Sequence, residues 1–209
     1  MKVIGLNGSP RKDWNSAQML EHALEGAAAA GAETELIHLI DLNATGCRSC
    51  FACKRIGGKS FGRCAVQDDL HDILARILEA DAVIISAPVY FGDVPGMVRN
   101  LFERLWFPGL MYRRDGACAY EKRVKVGLIY TMNCPDEHFY DSLINSHKGT
   151  FQRFFGETKV VCATETLQFD NYDLYVGDMF DVPRRQEKHE KEFPEDCRRA
   201  YQMGQELVK

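Results

Sequence analysis

Five short apolar runs alternate with amphipathic helical patterns along this 209-residue chain, and that alternation restricts its fold more than any other feature. Lys2–Asn7 reads as a buried strand, and Ser16–Ala30 as a helix with Met19, Leu20, Ala23, Leu24 and Ala27 at helical spacing, closed by Gly31. Glu33–Leu39 alternates like a second strand. Leu70, Ile73, Leu74, Ile77 and Leu78 mark a helix capped by Asp68 or Asp69, and Ala82–Ala87 is a continuous apolar run of the kind central parallel strands carry. A helix through Met97, Val98, Leu101, Phe102 and Leu105 follows, then a strand over Val124–Thr131, a helix over His138–Phe155 and a strand over Lys159–Leu167. Strands separated by helices favour parallel pairing through right-handed crossovers, which predicts an α/β fold with helices on both faces of a five-stranded sheet. After Phe169 the pattern gives way to acidic and aromatic residues until Pro194 opens a last helix. The chain is read as one domain over 1–209, with a core of about 1–167 and a C-terminal extension and helix over about 168–209.

A net charge of −4 offers no general attraction for nucleic acid or anionic membrane, so neither is expected as a partner. No apolar run approaches the ~20 residues that span a bilayer, and the first residues lack a signal peptide's three regions, which predicts a cytoplasmic protein. In that reducing setting the eight cysteines are expected as free thiols, redox centres or metal ligands rather than disulfides.

Open parallel sheets bind ligands at the carboxyl ends of their strands, and three of those ends are unusual here. Asn7-Gly8-Ser9-Pro10-Arg11-Lys12-Asp13-Trp14-Asn15-Ser16 combines glycine, hydroxyls and amides with a helix N-terminus, which suits an anion such as a monophosphate or serves as an ordinary capped turn. Neither GxGxxG nor GxxxxGK[ST] is present. Pro88-Val89-Tyr90-Phe91-Gly92-Asp93-Val94-Pro95-Gly96 is a stiff turn carrying two aromatics on which a planar ring could dock. Thr131-Met132-Asn133-Cys134-Pro135 is the third.

Ser9-Pro10-Arg11 after Gly8, then Asn15-Ser16, then Ser86-Ala87-Pro88-Val89-Tyr90-Phe91-Gly92-Asp93-Val94-Pro95-Gly96, together resemble the NAD(P)H-dependent FMN reductase family over roughly Met1–Leu167. The resemblance implies a flavodoxin-like three-layer sandwich with strand order 2-1-3-4-5. It implies that Ser9, Arg11, Asn15 and Ser16 hold the FMN phosphate, and that Pro88, Val89, Tyr90, Phe91 and Gly92 contact the isoalloxazine ring, with Thr131 and Asn133 adding contacts. Relatives often carry glycine in that third loop, where this chain does not.

Cys47, Cys50 and Cys53 at CxxCxxC spacing, completed by Cys64, place four thiols after the second strand, beside the expected flavin. Such spacing fits an iron–sulfur cluster, free structural thiols or a Cys₄ zinc site. Relatives called iron-sulfur flavoproteins carry a compact motif of this kind on a [4Fe-4S] cluster; here the last gap, with GGKSFGR inside it, is longer. Cys118, Cys162 and Cys197 read as buried hydrophobes. His138, His147 and His189 read as surface or satisfied residues without a role, the charges from Arg184 to Glu192 as a solvated helix face, and Trp106–Tyr112 as core or an oligomer contact.

These readings yield a first expectation: an oxidoreductase whose FMN takes a hydride from NADH or NADPH and passes electrons to a flavin, quinone or other acceptor, with no acid–base dyad required. Two alternatives stand beside it: an electron carrier of the iron-sulfur flavoprotein kind served by a ferredoxin, and a flavin-free interaction module. The resemblance also implies a homodimer or homotetramer.

Overall fold

The structure is a computed structural model that describes residues 1–209. Strands β1 (Lys2–Asn7), β2 (Glu33–His38), β3 (Ala82–Pro88), β4 (Lys125–Met132) and β5 (Thr158–Thr164) form one sheet in the order β2-β1-β3-β4-β5. Every neighbouring pair is parallel. This is the flavodoxin-like arrangement expected, and the order reverses direction between β1 and β3. Residues Ala82–Ala87 are all buried, as a strand covered on both faces requires, whereas edge strand β2 is half-exposed.

Helices α1 (Asn15–Ala29) and α6 (Phe193–Val208) cover one face, packing Met19, Leu20, Ala23, Ala200, Met203 and Leu207 on Val3, Ile84 and Ile129. Helices α2 (Leu70–Glu79), α3 (Gly96–Gly109) and α4 (Asp141–Phe154) cover the other, where Ile73, Ile77, Leu101, Phe102 and Phe151 pack on Ile4, Ile85 and Leu128. Each of these side chains larger than alanine contributes about 1.5–3 kcal/mol through burial. The crossing of α1 and α6 depends on two glycines: a Cβ on Gly204 would lie 1.8 Å from the Ala23 carbonyl oxygen, and one on Gly26 2.0 Å from that of Tyr201. No helix is long and apolar enough to cross a membrane.

The structure departs from sequence expectation in three places. The last strand stops at Thr164 instead of Leu167 because Glu165 takes a left-handed backbone (φ 53°) and turns its N–H to the Cys134 carbonyl. The helix expected from His138 begins with a 3₁₀ turn over Glu137–Tyr140, capped by the Asp136 carboxylate on His138 N, before α4 proper. The charged stretch forms its own helix, α5 (Val182–Lys191), with Asp181 capping Arg184 N and Pro183 in its first turn. It is not simply solvated, since Arg185 is buried.

Candidate functional site

A pocket of about 360 Å³ opens at the carboxyl ends of β1, β3 and β4, beside the point where the strand order reverses. Ser9, Arg11, Asn15, Ser16, Pro88, Val89, Tyr90, Phe91, Thr131 and Asn133 all line it. Three segments distant in sequence therefore meet as expected, and only Gly92 of the residues proposed for the cofactor is absent from the wall.

Helix α1 begins at this pocket. No side chain caps its N-terminus and no acidic residue occupies its first turn, so its leading N–H groups keep their partial positive charge. Ser9, Asn15 and Ser16 are buried polar side chains there. The loop is ordered from within, Asn7 Oδ1 accepting Ser9 N (3.0 Å) and Ser9 Oγ accepting Arg11 N (3.1 Å), and the Ser16 and Thr131 hydroxyls share a 2.8 Å bond between α1 and β4. Gly8 serves packing rather than ligand approach, since a Cβ there would stand 2.2 Å from Val98 Cγ2.

The aromatic turn is tight. Tyr90 and Asp93 exchange N–H···O bonds of 2.7 and 3.1 Å, while Phe91 (φ 51°) and Gly92 (φ 82°) both take the left-handed conformation, the signature of a type I′ turn. Gly92 thus shapes the turn. A phenylalanine in that conformation is strained, and it is held with its ring wholly exposed at the pocket's edge.

Behind the turn lies one of the histidines read from sequence as surface or satisfied residues, and it is satisfied. His147 of α4 is 3% exposed; its Nδ1 shares a 3.0 Å bond with the Tyr130 hydroxyl, and its Nε2 lies 3.5 Å from Asp93 Oδ1. Burial holds the imidazole below its ordinary pKa, with Asp93 opposing.

Sequence reasoning missed the outer wall. Thr166, Gln168, Phe169, Val176, Met179 and Phe180 complete the pocket from the segment between β5 and α5. Arg11 Nη1 donates to the Gln168 carbonyl (2.8 Å), and Trp14 Nε1 and Asn15 Nδ2 both donate to that of Leu167 (2.9 Å each), so the first loop clasps this strap. Within it Phe169 stacks on Tyr175 at 4.4 Å. The one advance signal was the density of aromatics after Leu167.

The four clustered cysteines line a second, small cavity of about 20 Å³ together with Arg104, Phe107 and Pro108 of α3. The insert between Cys53 and Cys64 folds through successive turns and returns with Gly62 N on the Cys53 carbonyl (2.9 Å). Arg104, with its side chain fully buried, organises the segment: it donates to Asp68 Oδ1 and Oδ2 (2.7 and 2.6 Å), to the carbonyls of Thr45 and Val66 (3.2 and 3.0 Å), and through Nε to Cys64 Sγ (3.3 Å). Burial would raise the Asp68 pKa, but donation from Arg104, Thr45 N and Leu70 N holds it below the usual carboxylate range. Of the two aspartates expected as caps, Asp68 receives Leu70 N, while Asp69 receives Asn43 N. Lys54 Nζ, anchored on the Phe107 and Pro108 carbonyls, brings a second cation beside Cys53, whose thiol burial pushes up.

The donor set is what an iron–sulfur cluster takes, yet no three His, Cys, Asp or Glu side chains stand in metal-holding geometry, and all eight cysteines are free. The thiol cavity and the large pocket share no lining residue. Arg104 lies eight residues into α3, about 12 Å from the helix start that follows the aromatic turn.

Comparison with known proteins accords with this arrangement. An iron-sulfur flavoprotein of Methanocaldococcus jannaschii is 40% identical over 104 residues, 50% of this chain and 51% of that protein. One of Methanosarcina thermophila is 36% identical over 104 residues, 50% of this chain and 52% of the other. The chain thus spans about half the length of the curated relatives it matches. Among solved structures, an NAD(P)H:quinone oxidoreductase from Methanothermobacter marburgensis superposes with a TM-score of 0.70 at 18% identity, covering 100% of this chain and 96% of that one. An FMN-dependent NADH-azoreductase from Bacillus anthracis, in complex with FMN, gives 0.66 at 13% identity with both chains fully covered. At those identities the two structures speak for the fold. The family described as NADPH-dependent FMN reductase matches residues 1–126, more than half of the sequence, and the chain belongs to that family.

Proposed function

We propose that the large pocket binds FMN and that the protein is an FMN-dependent NAD(P)H oxidoreductase delivering electrons to a flavin, quinone or other acceptor. The observation that carries this reading is the convergence of an uncapped helix N-terminus, with Ser9, Arg11, Asn15 and Ser16 around it, and the Pro88–Phe91 turn on one pocket. The first group takes the phosphate through charge and N–H donation, and Tyr90 and Phe91 offer faces to a planar ring. Thr131 and Asn133 border the ring's polar edge. Bound FMN would supply the hydride chemistry; the protein binds it, orients it and leaves one side open to the donor.

Two measurements test this. Titration should show FMN bound and quenched, and Ser9→Ala with Arg11→Ala should weaken binding by roughly 10- to 100-fold, the loss of one or two charge-assisted hydrogen bonds. Anaerobic mixing with NADH or NADPH should bleach the flavin; a protein that binds FMN but bleaches with neither is no nicotinamide oxidoreductase.

A second reading rests on the thiol cavity. Cys47, Cys50, Cys53 and Cys64 border one small cavity, with Lys54 and Arg104 supplying positive charge; brought together they would offer the four thiolates a [4Fe-4S] cluster takes, and the protein would then carry single electrons from a ferredoxin-type donor to FMN. Iron and sulfide analysis after anaerobic reconstitution decides it: about four of each per chain supports the carrier, and none removes it.

A further inference from the structure

Three charged residues other than histidine are buried in this protein: Arg104, Glu165 and Arg185. Arg104 pairs with Asp68, and Glu165 with Arg184 and Lys188 at 3.0 and 3.5 Å. Arg185, 6% exposed, is in no ion pair. Its Nη1 donates to the Thr166 carbonyl (3.0 Å), its Nη2 to that of Asn133 (3.4 Å), and its guanidinium lies 4.5 Å from the centre of the Phe180 ring. Neutral partners alone leave the charge of a buried arginine uncompensated, which is costly unless an anion is supplied from elsewhere.

The direction from which it could come is defined. Asn133, Thr166 and Phe180 all line the 360 Å³ pocket, so the guanidinium stands one residue behind its wall. Its anchors follow β4 and β5, whereas the phosphate-type loop follows β1, two strand spacings or about 9.5 Å from β4 across the sheet. The Asn133 anchor sets the charge against the β4 side of the pocket, the side read as the ring's, while the Thr166 anchor leads into the strap that Arg11, Trp14 and Asn15 clasp. The other charges of α5 are partnered: Arg184 and Lys188 pair with Glu165, Lys188 also with Glu192 at 3.4 Å, and Lys191 with Glu187 at 2.6 Å, which leaves Arg185 as the cation without a carboxylate.

We propose that Arg185 is an electrostatic positioning residue for the flavin ring: acting through the Asn133–Thr166–Phe180 wall, its charge favours the reduced, negatively charged ring over the neutral oxidised one and so raises the flavin's midpoint potential. The inference rests on the reading of the pocket as an FMN site. It assigns a function to a residue whose sequence context suggests only a solvated helix face.

The test is spectroelectrochemical titration of FMN-loaded protein at pH 7. Arg185→Gln should lower the two-electron potential by about 30 mV or more, a tenfold loss of preference for reduced over oxidised flavin at 29.6 mV per decade. Arg185→Lys, which keeps the charge and alters the fork, should hold the potential near that of the unmodified protein. Glu165→Gln, which removes the neighbouring negative charge, should move it upward, and this serves if Arg185→Gln does not fold. An unchanged potential in Arg185→Gln, an equal fall in Arg185→Lys, or no rise in Glu165→Gln would overturn the inference. So would a loss of FMN affinity equal in both redox states, the mark of a phosphate contact. Failure of the unmodified protein to bind FMN overturns the reading of the pocket instead.

Discussion

Replacing Arg104 with methionine removes a guanidinium whose side chain is fully buried and leaves the Asp68 carboxylate, 12% exposed, with only Thr45 N and Leu70 N as donors. Breaking a buried pair from one side costs about 3–5 kcal/mol, because the remaining charge is uncompensated. Asp68 keeps two N–H donors and some water, which places the loss near the lower end, about 3 kcal/mol. For a chain of this size that corresponds to a fall in Tm of about 6–12 °C. Urea unfolding followed by circular dichroism reads the free energy directly, and the slope m should be unchanged. In the native protein trypsin should then cut sooner within residues 43–67, since the Thr45 and Val66 carbonyls and Cys64 lose their common donor. Arg104→Met with Asp68→Asn should recover part of the loss by removing both charges. A loss below about 1 kcal/mol, or a double variant no more stable than the single one, would refute the argument that this ion pair holds the cysteine segment.

Gly204→Ala should be strongly destabilising, by about 3 kcal/mol or more, because its Cβ would sit 1.8 Å from the Ala23 carbonyl oxygen and α6 must lift off α1; thermal unfolding checks it. His147 has a folded pKa held below its unfolded value of about 6.5 by burial, so its contribution is complete above that pH and is lost as pH falls through the folded pKa; His147→Gln should flatten Tm against pH below about 6.5. Phe91→Gly should relieve a left-handed phenylalanine and raise stability by up to about 1 kcal/mol while weakening FMN binding, whereas a less stable protein with full affinity would contradict both halves.

Much of the site was legible because its pieces follow strands. Once Lys2–Asn7, Ala82–Ala87 and Val124–Thr131 read as parallel strands, the loops after them had to gather at one end of the sheet, and ten residues from those loops do line one pocket. The strap was not legible, because Gln168–Phe180 has no period and is held by contacts to Arg11, Trp14 and Asn15 more than 150 positions away. Arg185 was misread for a related reason, and His147 proved to be the satisfied of the two alternatives left open for it. Each lies in a polar stretch, and only tertiary packing buries them, Arg185 behind Asn133 and Thr166 and His147 against Phe102, Trp106 and Tyr130.

Helical and strand periods, capping residues and turn chemistry are properties of neighbours in the chain, so the α/β alternation, the parallel sheet and the three loops that line the pocket follow from residue order alone. Which thiols share a cavity, which arginine acquires a carboxylate and which is left without one depend on the approach of segments far apart in sequence. Burial turns those approaches into large electrostatic differences: Arg104 and Arg185 are chemically identical residues, one paired within the fold and the other facing the pocket wall, and only the tertiary structure distinguishes them.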